Sequence, residues 1–367
     1  MLGAYIHIPF CKRICNYCDF CKINYNKLYT MSYLSSLEKE IKERYKGELL
    51  DSIYIGGGTP NSLDYEELKK LFEITKIFNL KDKYEFTIEC NIEYIDEDKL
   101  TLFKDSRVNR ISYGIESFNN DNILFLGRNH DLSLVTKNIN LTKKYFNNIN
   151  IDLIYGVNKN LEILKSDIKE FLKLNIPHIS CYSLIIEEHT KFYLNKVKYI
   201  SEEVDEEMFH YINNTLKKNG YNHYEISNYA KDNYESRHNK IYWLNNSYYG
   251  FGLSAVSYID NYRISNTKNL TKYLNNEYIH ESIYEDSNMR KENTLMLGLR
   301  LLNGISIEDF NKRFNCDIIN IRVIKDLLND KYLEIENNHL KINYKYIYVS
   351  NSIIGKIIGS DLNEESN

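Results

Sequence analysis

Cys11-Lys12-Arg13-Ile14-Cys15-Asn16-Tyr17-Cys18-Asp19-Phe20-Cys21 sets four cysteines within eleven residues. The first three are spaced C-x3-C-x2-C. Three thiolates can hold a [4Fe–4S] cube by three corners and leave the fourth iron open to a ligand. Other chemistries fit the same residues. Structural zinc favours two C-x2-C pairs separated by a longer loop. Disulfides are a further reading, and Cys15, Cys18 and Cys21 at C-x2-C-x2-C suit a closed site with four cysteine ligands. From the cysteines alone all of these stay open.

Ser52-Ile53-Tyr54-Ile55-Gly56-Gly57-Gly58-Thr59-Pro60 reads as a short strand ending in three glycines. Glycines at a strand end let backbone approach a ligand closely, and they also make an ordinary turn. Placed after C-x3-C-x2-C, this segment resembles the radical S-adenosylmethionine (SAM) superfamily. The resemblance implies an open iron that chelates the methionine of SAM, with the glycine turn holding its amino group.

Composition bounds the rest. The 367 residues are 43% hydrophobic, enough for one large core and a smaller one. No apolar run approaches 18 residues and no signal peptide is read, so a cytoplasmic protein with reduced thiols is expected. Net charge is −4 without blocks of one sign, which argues against nucleic acid as a partner. With 33 tyrosines, no single tyrosine means much outside a motif.

Candidate strands are 4–8, 52–55, 85–89, 110–115, 149–155 and 178–184, with amphipathic helices between them. In 32–45, for example, Leu34, Leu37 and Ile41 share one helical face. Alternating strands and helices imply parallel pairing, giving an α/β fold with a partial (β/α)6 TIM-like barrel. Chemistry in such barrels sits at the C-terminal strand ends, where Cys11–Cys18, Gly56–Gly58, Glu89, Glu116 and Asp152 fall. Tyr224–Ala230 reads as one more strand. Ser236–Trp243 and Gly250–Ala255 read as loops, and His280–Asn288 as a polar linker. Three helices, a hairpin at 332–342 and a last short helix then suggest a small winged-helix-like α+β domain. The expected division is a barrel over 1–230, a connecting segment rich in aromatics and glycine over 231–285, and a C-terminal domain over 286–360.

Taken in order, Tyr-Ile-His-Ile-Pro-Phe-Cys (5–11), Gly-Gly-Gly-Thr-Pro (56–60), Val-Asn-Arg-Ile-Ser-Tyr-Gly-Ile-Glu-Ser-Phe (108–118), Leu-Gly-Arg-Asn-His (126–130), Ile-Asp-Leu-Ile-Tyr-Gly (151–156), Tyr-Glu-Ile-Ser-Asn (224–228), Glu-Ser-Arg-His-Asn (235–239) and Leu-Met-Leu-Gly-Leu-Arg (295–300) resemble the oxygen-independent coproporphyrinogen III oxidase family. The family has a dehydrogenase branch and a heme-chaperone branch, HemW. The dehydrogenase carries a further cysteine where this chain has Phe20, and a sizeable extension before the cluster, where this chain has ten residues. Both features favour the chaperone branch.

The resemblance implies that Cys11, Cys15 and Cys18 ligate the cluster and that Cys21 does not. It places Tyr5 and Tyr17 beside cluster and SAM, Gly57, Gly58 and Thr59 at the methionine, and Glu89, Glu116, Arg128 and Asp152 among further SAM contacts. Carboxylates can accept from ribose hydroxyls and the ammonium, and Arg128 can pair with the SAM carboxylate. A structural Arg128–Asp152 ion pair is the plainer alternative. The chain departs from the family pattern at Glu116, usually Gln, at Asn158-Lys159-Asn160, and at Val256, where a His usually stands. That leaves His238, ahead of His7, as candidate heme ligand. Two functions follow. One is a chaperone carrying heme to respiratory proteins, with transient membrane association allowed. The other is radical oxidative decarboxylation of coproporphyrinogen III through a 5′-deoxyadenosyl radical.

Overall fold

In the computed structural model, which describes residues 1–362, the chain begins in the middle of its sheet. Strand β1 (Gly3–Ile8) runs into a short parallel pair, β2 (Phe10–Cys11) and β3 (Ile23–Asn24), which brackets the cysteine loop. Helix α1 (Lys27–Arg44) starts at Asn26, whose side chain accepts from Leu28 N–H, and it buries Leu34, Leu37 and Ile41 completely. Then follow β4 (Leu49–Gly57), α2 (Tyr65–Thr75), β5 (Asn79–Asn91), α3 (Glu97–Asp105), β6 (Arg110–Glu116), α4 (Asn120–Phe125), α5 (Ser133–Thr142), β7 (Asn148–Tyr155), α6 (Leu161–Leu174) and β8 (His178–Ser183). Asp64 and Glu67 close a capping box on α2, satisfying amides that have no partner within the helix.

These six long strands, β1, β4, β5, β6, β7 and β8, are all parallel and neighbour one another in chain order. Alternate residues of these strands enter the core and are apolar, as in Ile53, Ile55, Phe86, Ile88, Ile111 and Ile151, while residues between them, such as Ser112, Asn150 and Asp152, are polar. The sheet does not close. After α7 (Lys191–Leu194) and α8 (Glu202–Lys218), an antiparallel hairpin of β9 (Asn222–Glu225) and β10 (Asn228–Ala230) ends one side of it. The single strand expected over 224–230 is thus two, broken at Ile226-Ser227.

The connecting segment is more structured than its composition suggests. Ser236 caps α9 (Arg237–Trp243), which replaces an expected loop. β11 (Tyr248–Phe251) pairs parallel with β1 on the side away from β4. β12 (Val256–Ile259), β13 (Tyr262–Asn266) and, after α10 (Leu270–Leu274), β14 (Ile279–Tyr284) extend the sheet antiparallel to twelve strands. β14 covers most of the expected linker and is exposed at every residue, which explains its polar look. Glu40 of α1 fixes this flank. It accepts from Tyr273 Oη (2.6 Å), Gly252 N (2.8 Å) and Asn266 Nδ2 (2.6 Å), and it pairs with Arg44.

Beyond it, α11 (Ser287–Gly298), β15 (Ile305–Ser306), α12 (Ile307–Phe314), α13 (Arg322–Asn329), β16 (Leu333–Glu336), β17 (His339–Ile342) and α14 (Ser350–Ile357) form the small domain. Its three strands run β15-β17-β16, all antiparallel. A separate core of Leu295, Phe310, Ile324, Leu340 and Ile354 holds it together.

Candidate functional site

The cysteine loop leaves the end of β1 and crosses the C-terminal ends of the parallel strands, where a cavity of about 420 Å³ opens. Cys11, Cys15 and Cys18 all line it. Thr59 Oγ1 donates to Cys11 Sγ at 3.6 Å, and Arg128 Nη1 donates to Cys15 Sγ at 3.8 Å. Burial raises all three thiols, Cys18 to about 11. Cys21 turns elsewhere. Its thiol bonds toward Ser254, its carbonyl accepts from His7 Nε2 at 2.7 Å, and it borders no part of the cavity. The wall therefore divides the four cysteines as three and one. Among the described residues no three His, Cys, Asp or Glu side chains converge on a single metal ion. A cluster takes each thiolate at a different iron, so its ligands stand further apart. Three thiols on one wall match the three cysteine corners of a cluster with an open iron.

The glycine turn is fastened to the chain just before Cys11. Gly58 N donates to Ile8 O at 2.8 Å and Thr59 N to Phe10 O at 2.9 Å. A Cβ on Gly58 would stand 2.7–2.8 Å from Ile8 O, Pro9 C and Phe10 O. The close approach expected from a ligand is, at Gly58, the approach of the protein's own backbone. Gly57 has φ +107°, and a side chain there would strike the His7 ring. Its N–H donates to Glu89 Oε2 at 3.0 Å.

Three carboxylates face the cavity from successive strands. Glu89 on β5 accepts from Tyr54 Oη at 2.7 Å, and burial, with Asp152 adding repulsion, raises it to about 7. Glu116 ends β6 with φ +66°, pairs with Arg128 at 3.1 Å and is raised to about 7 by burial, with Asp152 again adding repulsion. Asp152 on β7 accepts from Asn150 Nδ2 at 2.8 Å and is raised by burial. Arg128 also donates to Asn91 Oδ1 (2.9 Å) and Gly114 O (2.8 Å). Desolvation opposes its charge, but Tyr17, Glu116 and Cys15 hold it firmly protonated. The ion partner of Arg128 is thus Glu116, the residue that departs from the family pattern, and not Asp152.

Of the residues singled out in the sequence, Tyr17, Gly57, Gly58, Thr59, Glu89, Glu116, Arg128 and Asp152 border the cavity with the three cysteines. Tyr5 does not. It lies behind Tyr54, its hydroxyl 2.9 Å from His7 Nδ1. Arg110, Ser112, Asn150, Ser180 and Tyr182 line the floor and were missed. Strand period would have found them: stepping back by two from Glu116 gives Gly114, Ser112 and Arg110, and from Asp152 gives Asn150. Arg110 Nε is buried without a partner. The floor therefore offers carboxylate acceptors and a guanidinium, while Ile14, Phe20, Leu184 and Ile185 make an apolar lip.

His7 and His238 are both closed off. His7 is 3% exposed with both nitrogens bonded, and burial lowers it to about 4. His238, 1% exposed, has Nδ1 2.8 Å from Ser52 Oγ and Nε2 2.8 Å from Tyr242 Oη, and it stacks on Tyr54. His238 holds α9 against β4, and neither imidazole has a nitrogen left for iron in this arrangement.

Residues 5–169 match the Radical SAM superfamily and residues 289–345 the HemN C-terminal domain. The chain is 37% identical to the heme chaperone HemW of Lactococcus lactis subsp. lactis over 374 residues, covering 98% of each. It is 32% identical to the heme chaperone HemW of Bacillus subtilis, covering 98% of this chain and 100% of that one. Coproporphyrinogen III oxidase (HemN) from Escherichia coli, a radical SAM enzyme, superposes with a TM-score of 0.85 over 98% of this chain and 90% of its own, at 20% identity. That likeness establishes a shared fold, with the sheet left open.

Proposed function

The chain belongs to the HemW family, and from that premise we propose that it is a heme chaperone which binds a [4Fe–4S] cluster and SAM and passes heme to respiratory proteins. Cys11, Cys15 and Cys18 hold the cluster. Gly57, Gly58 and Thr59 present the turn to the methionine, and Tyr17, Glu89, Glu116, Arg128 and Asp152 surround SAM. Tyr5 acts at one remove, by fixing His7 under the turn. A cluster with an open iron supplies a site for the methionine and an electron for SAM. The chain's own part is orientation. Glu89 and Asp152 accept from ammonium and hydroxyl groups, and Arg128, four of whose five N–H donors are already engaged, offers its charge and its Nε–H to a carboxylate.

One observation carries this reading: three of the four loop thiols share a wall with a polar floor, while the fourth faces away. Phe20 stands on the lip where the dehydrogenase branch has a cysteine, which favours carriage of heme over decarboxylation. We divide the chain into the barrel (1–230), a connecting segment (231–285) whose strands complete the sheet, and the small domain (286–360). No described helix is long and apolar enough to cross a membrane. We place the protein in the cytoplasm, meeting membrane-bound recipients transiently. Anaerobic reconstitution, then heme titration and a coproporphyrinogen assay on one sample, tests this. Stoichiometric heme without decarboxylation is expected. Decarboxylation with SAM turnover and no heme binding refutes it.

A further inference from the structure

We propose that the inner end of the cavity is a second anion subsite, built from Arg110 and Asn239, that takes the carboxylate of a small organic acid beneath SAM. Arg110 stands on β6 in register with Thr87 of β5 and Asn148 of β7. It is 2% exposed, lines the cavity, and makes no hydrogen bond or ion pair with any described residue. Thr87 Oγ1 and Asn148 Oδ1 are buried without partners as well, so nothing at this level of the sheet answers the guanidinium. Glu89 and Asp152 feel its charge, but neither lies within ion-pair distance, and burial pushes both toward the neutral form. An unpaired buried cation is costly, and a side chain with five donors rarely leaves them idle. SAM, on the reading above, lies further along the strands. Glu116 and its partner Arg128 mark the far end of β6, six residues and roughly 20 Å of strand beyond Arg110.

The facing wall comes from α9. Glu85 on β5 accepts from Ser236 Oγ (3.2 Å), Arg237 N (3.0 Å) and His238 N (3.1 Å), which fixes the start of that helix against the sheet. Burial, with the charge of Arg110 adding to it, lowers His238 to about 3, so Arg110 is a neighbour of this turn. The next residue, Asn239, lines the cavity, and no described residue bonds its side-chain amide. The floor therefore holds a guanidinium fork and an amide, both without partners. Such a fork matches a carboxylate or a phosphate. Glu89 and Asp152 border the same floor, and their repulsion favours the singly charged carboxylate over the more highly charged phosphate.

The test is thermal melting of the full-length reconstituted protein with butyrate, inorganic phosphate or neither, each with and without saturating SAM. Butyrate in the millimolar range is expected to raise the melting temperature of the wild type whether or not SAM is bound, and phosphate to raise it less. Arg110→Met should melt above the wild type when no anion is added, because it removes an uncompensated buried charge, and should lose the butyrate response. Asn239→Ala should keep the wild-type melting temperature and need several-fold more butyrate for the same shift. An Arg110→Met protein that melts below the wild type, together with a wild type indifferent to butyrate, overturns the subsite and makes Arg110 a structural residue. A butyrate response that SAM abolishes also overturns it, since the acid would then occupy the place of SAM's own carboxylate beside Arg128. A phosphate response as large as that to butyrate overturns the carboxylate class.

Discussion

The cavity end of the barrel and the small domain treat buried polarity in opposite ways. The cavity end gathers Glu116, Arg110 and Arg128, all buried, with the half-buried Glu89 and Asp152, the carboxylates pushed toward neutrality and a guanidinium nitrogen unpaired. Among the described residues from 287 onward, the buried polar side chains are Lys291, Thr294 and Ser350, and no carboxylate is buried. Buried charge without full compensation destabilises a fold, so its concentration at one place marks where a ligand completes the hydrogen bonding. The small domain has only a core to maintain.

The comparison breaks most sharply at the cysteines. Cys11→Ala, Cys15→Ala or Cys18→Ala should abolish the visible absorption of the reconstituted protein, which otherwise holds about four iron per chain. Cys21→Ala should leave it. Loss of the cluster in Cys21→Ala and its survival in Cys11→Ala would undo the division of the loop.

In the small domain the expected change is in stability and not in cofactor content. Leu340 is fully buried, so Leu340→Ala should lower the unfolding free energy by about 2–5 kcal/mol. Iron content at low temperature should stay at the wild-type level. Denaturant melts and iron analysis on the same preparation read both quantities.

Glu225 lies where the two regions meet: Leu302 N donates to Tyr224 O, and Glu225 bridges to Leu301. Its Oε1 has no partner, and burial raises the carboxyl to about 7. Between about pH 4.5 and 7 the folded protein keeps a proton that the unfolded chain has released. Glu225 therefore destabilises the fold increasingly as pH rises through that window. Glu225→Gln should match wild type near pH 4.5 and gain at most about 1.4 kcal/mol per pH unit above it, levelling off past pH 7. A constant difference at every pH would show that Glu225 does not titrate there.

Gly58→Ala tests the smallest of these effects on stability. The added carbon meets the backbone of residues 8–10, and overpacking of this kind costs about 1–3 kcal/mol. SAM affinity by calorimetry and cluster content should fall together, because the displaced segment carries Cys11. A fall in SAM affinity alone would mean that the glycine serves only the ligand.

The parallel half of the fold was legible because strand and helix alternate with clear apolar periods. All six strands were found, with ends extended by a few residues, as at Leu49–Gly57 around the expected 52–55. The candidate site's cysteines, glycines and carboxylates were legible because they gather at or near the C-terminal ends of those strands. Segment 231–285 was not. Tyr248–Phe251 reads as loop because its pairing partner, β1, lies more than two hundred residues away, and β14 reads as linker because both its faces are exposed. His238 looked like a ligand in sequence because chemistry is visible there and burial is not. The constraint on Gly58 was hidden in the same way, since a clash with backbone leaves no pattern in side chains.

The central position of β1 has a consequence for how the protein is made. Strand β1 acquires one neighbour once residue 57 is made and the other only when residue 251 is. At about 5–20 residues per second, roughly 10–40 s of synthesis separate the two. During that interval the strand leading into the cysteine loop has an open edge, and the thiols are already outside the tunnel. On the reading that this loop holds a cluster, its completion is expected late in the life of the nascent chain, and a reducing surrounding matters most before the last third has been translated.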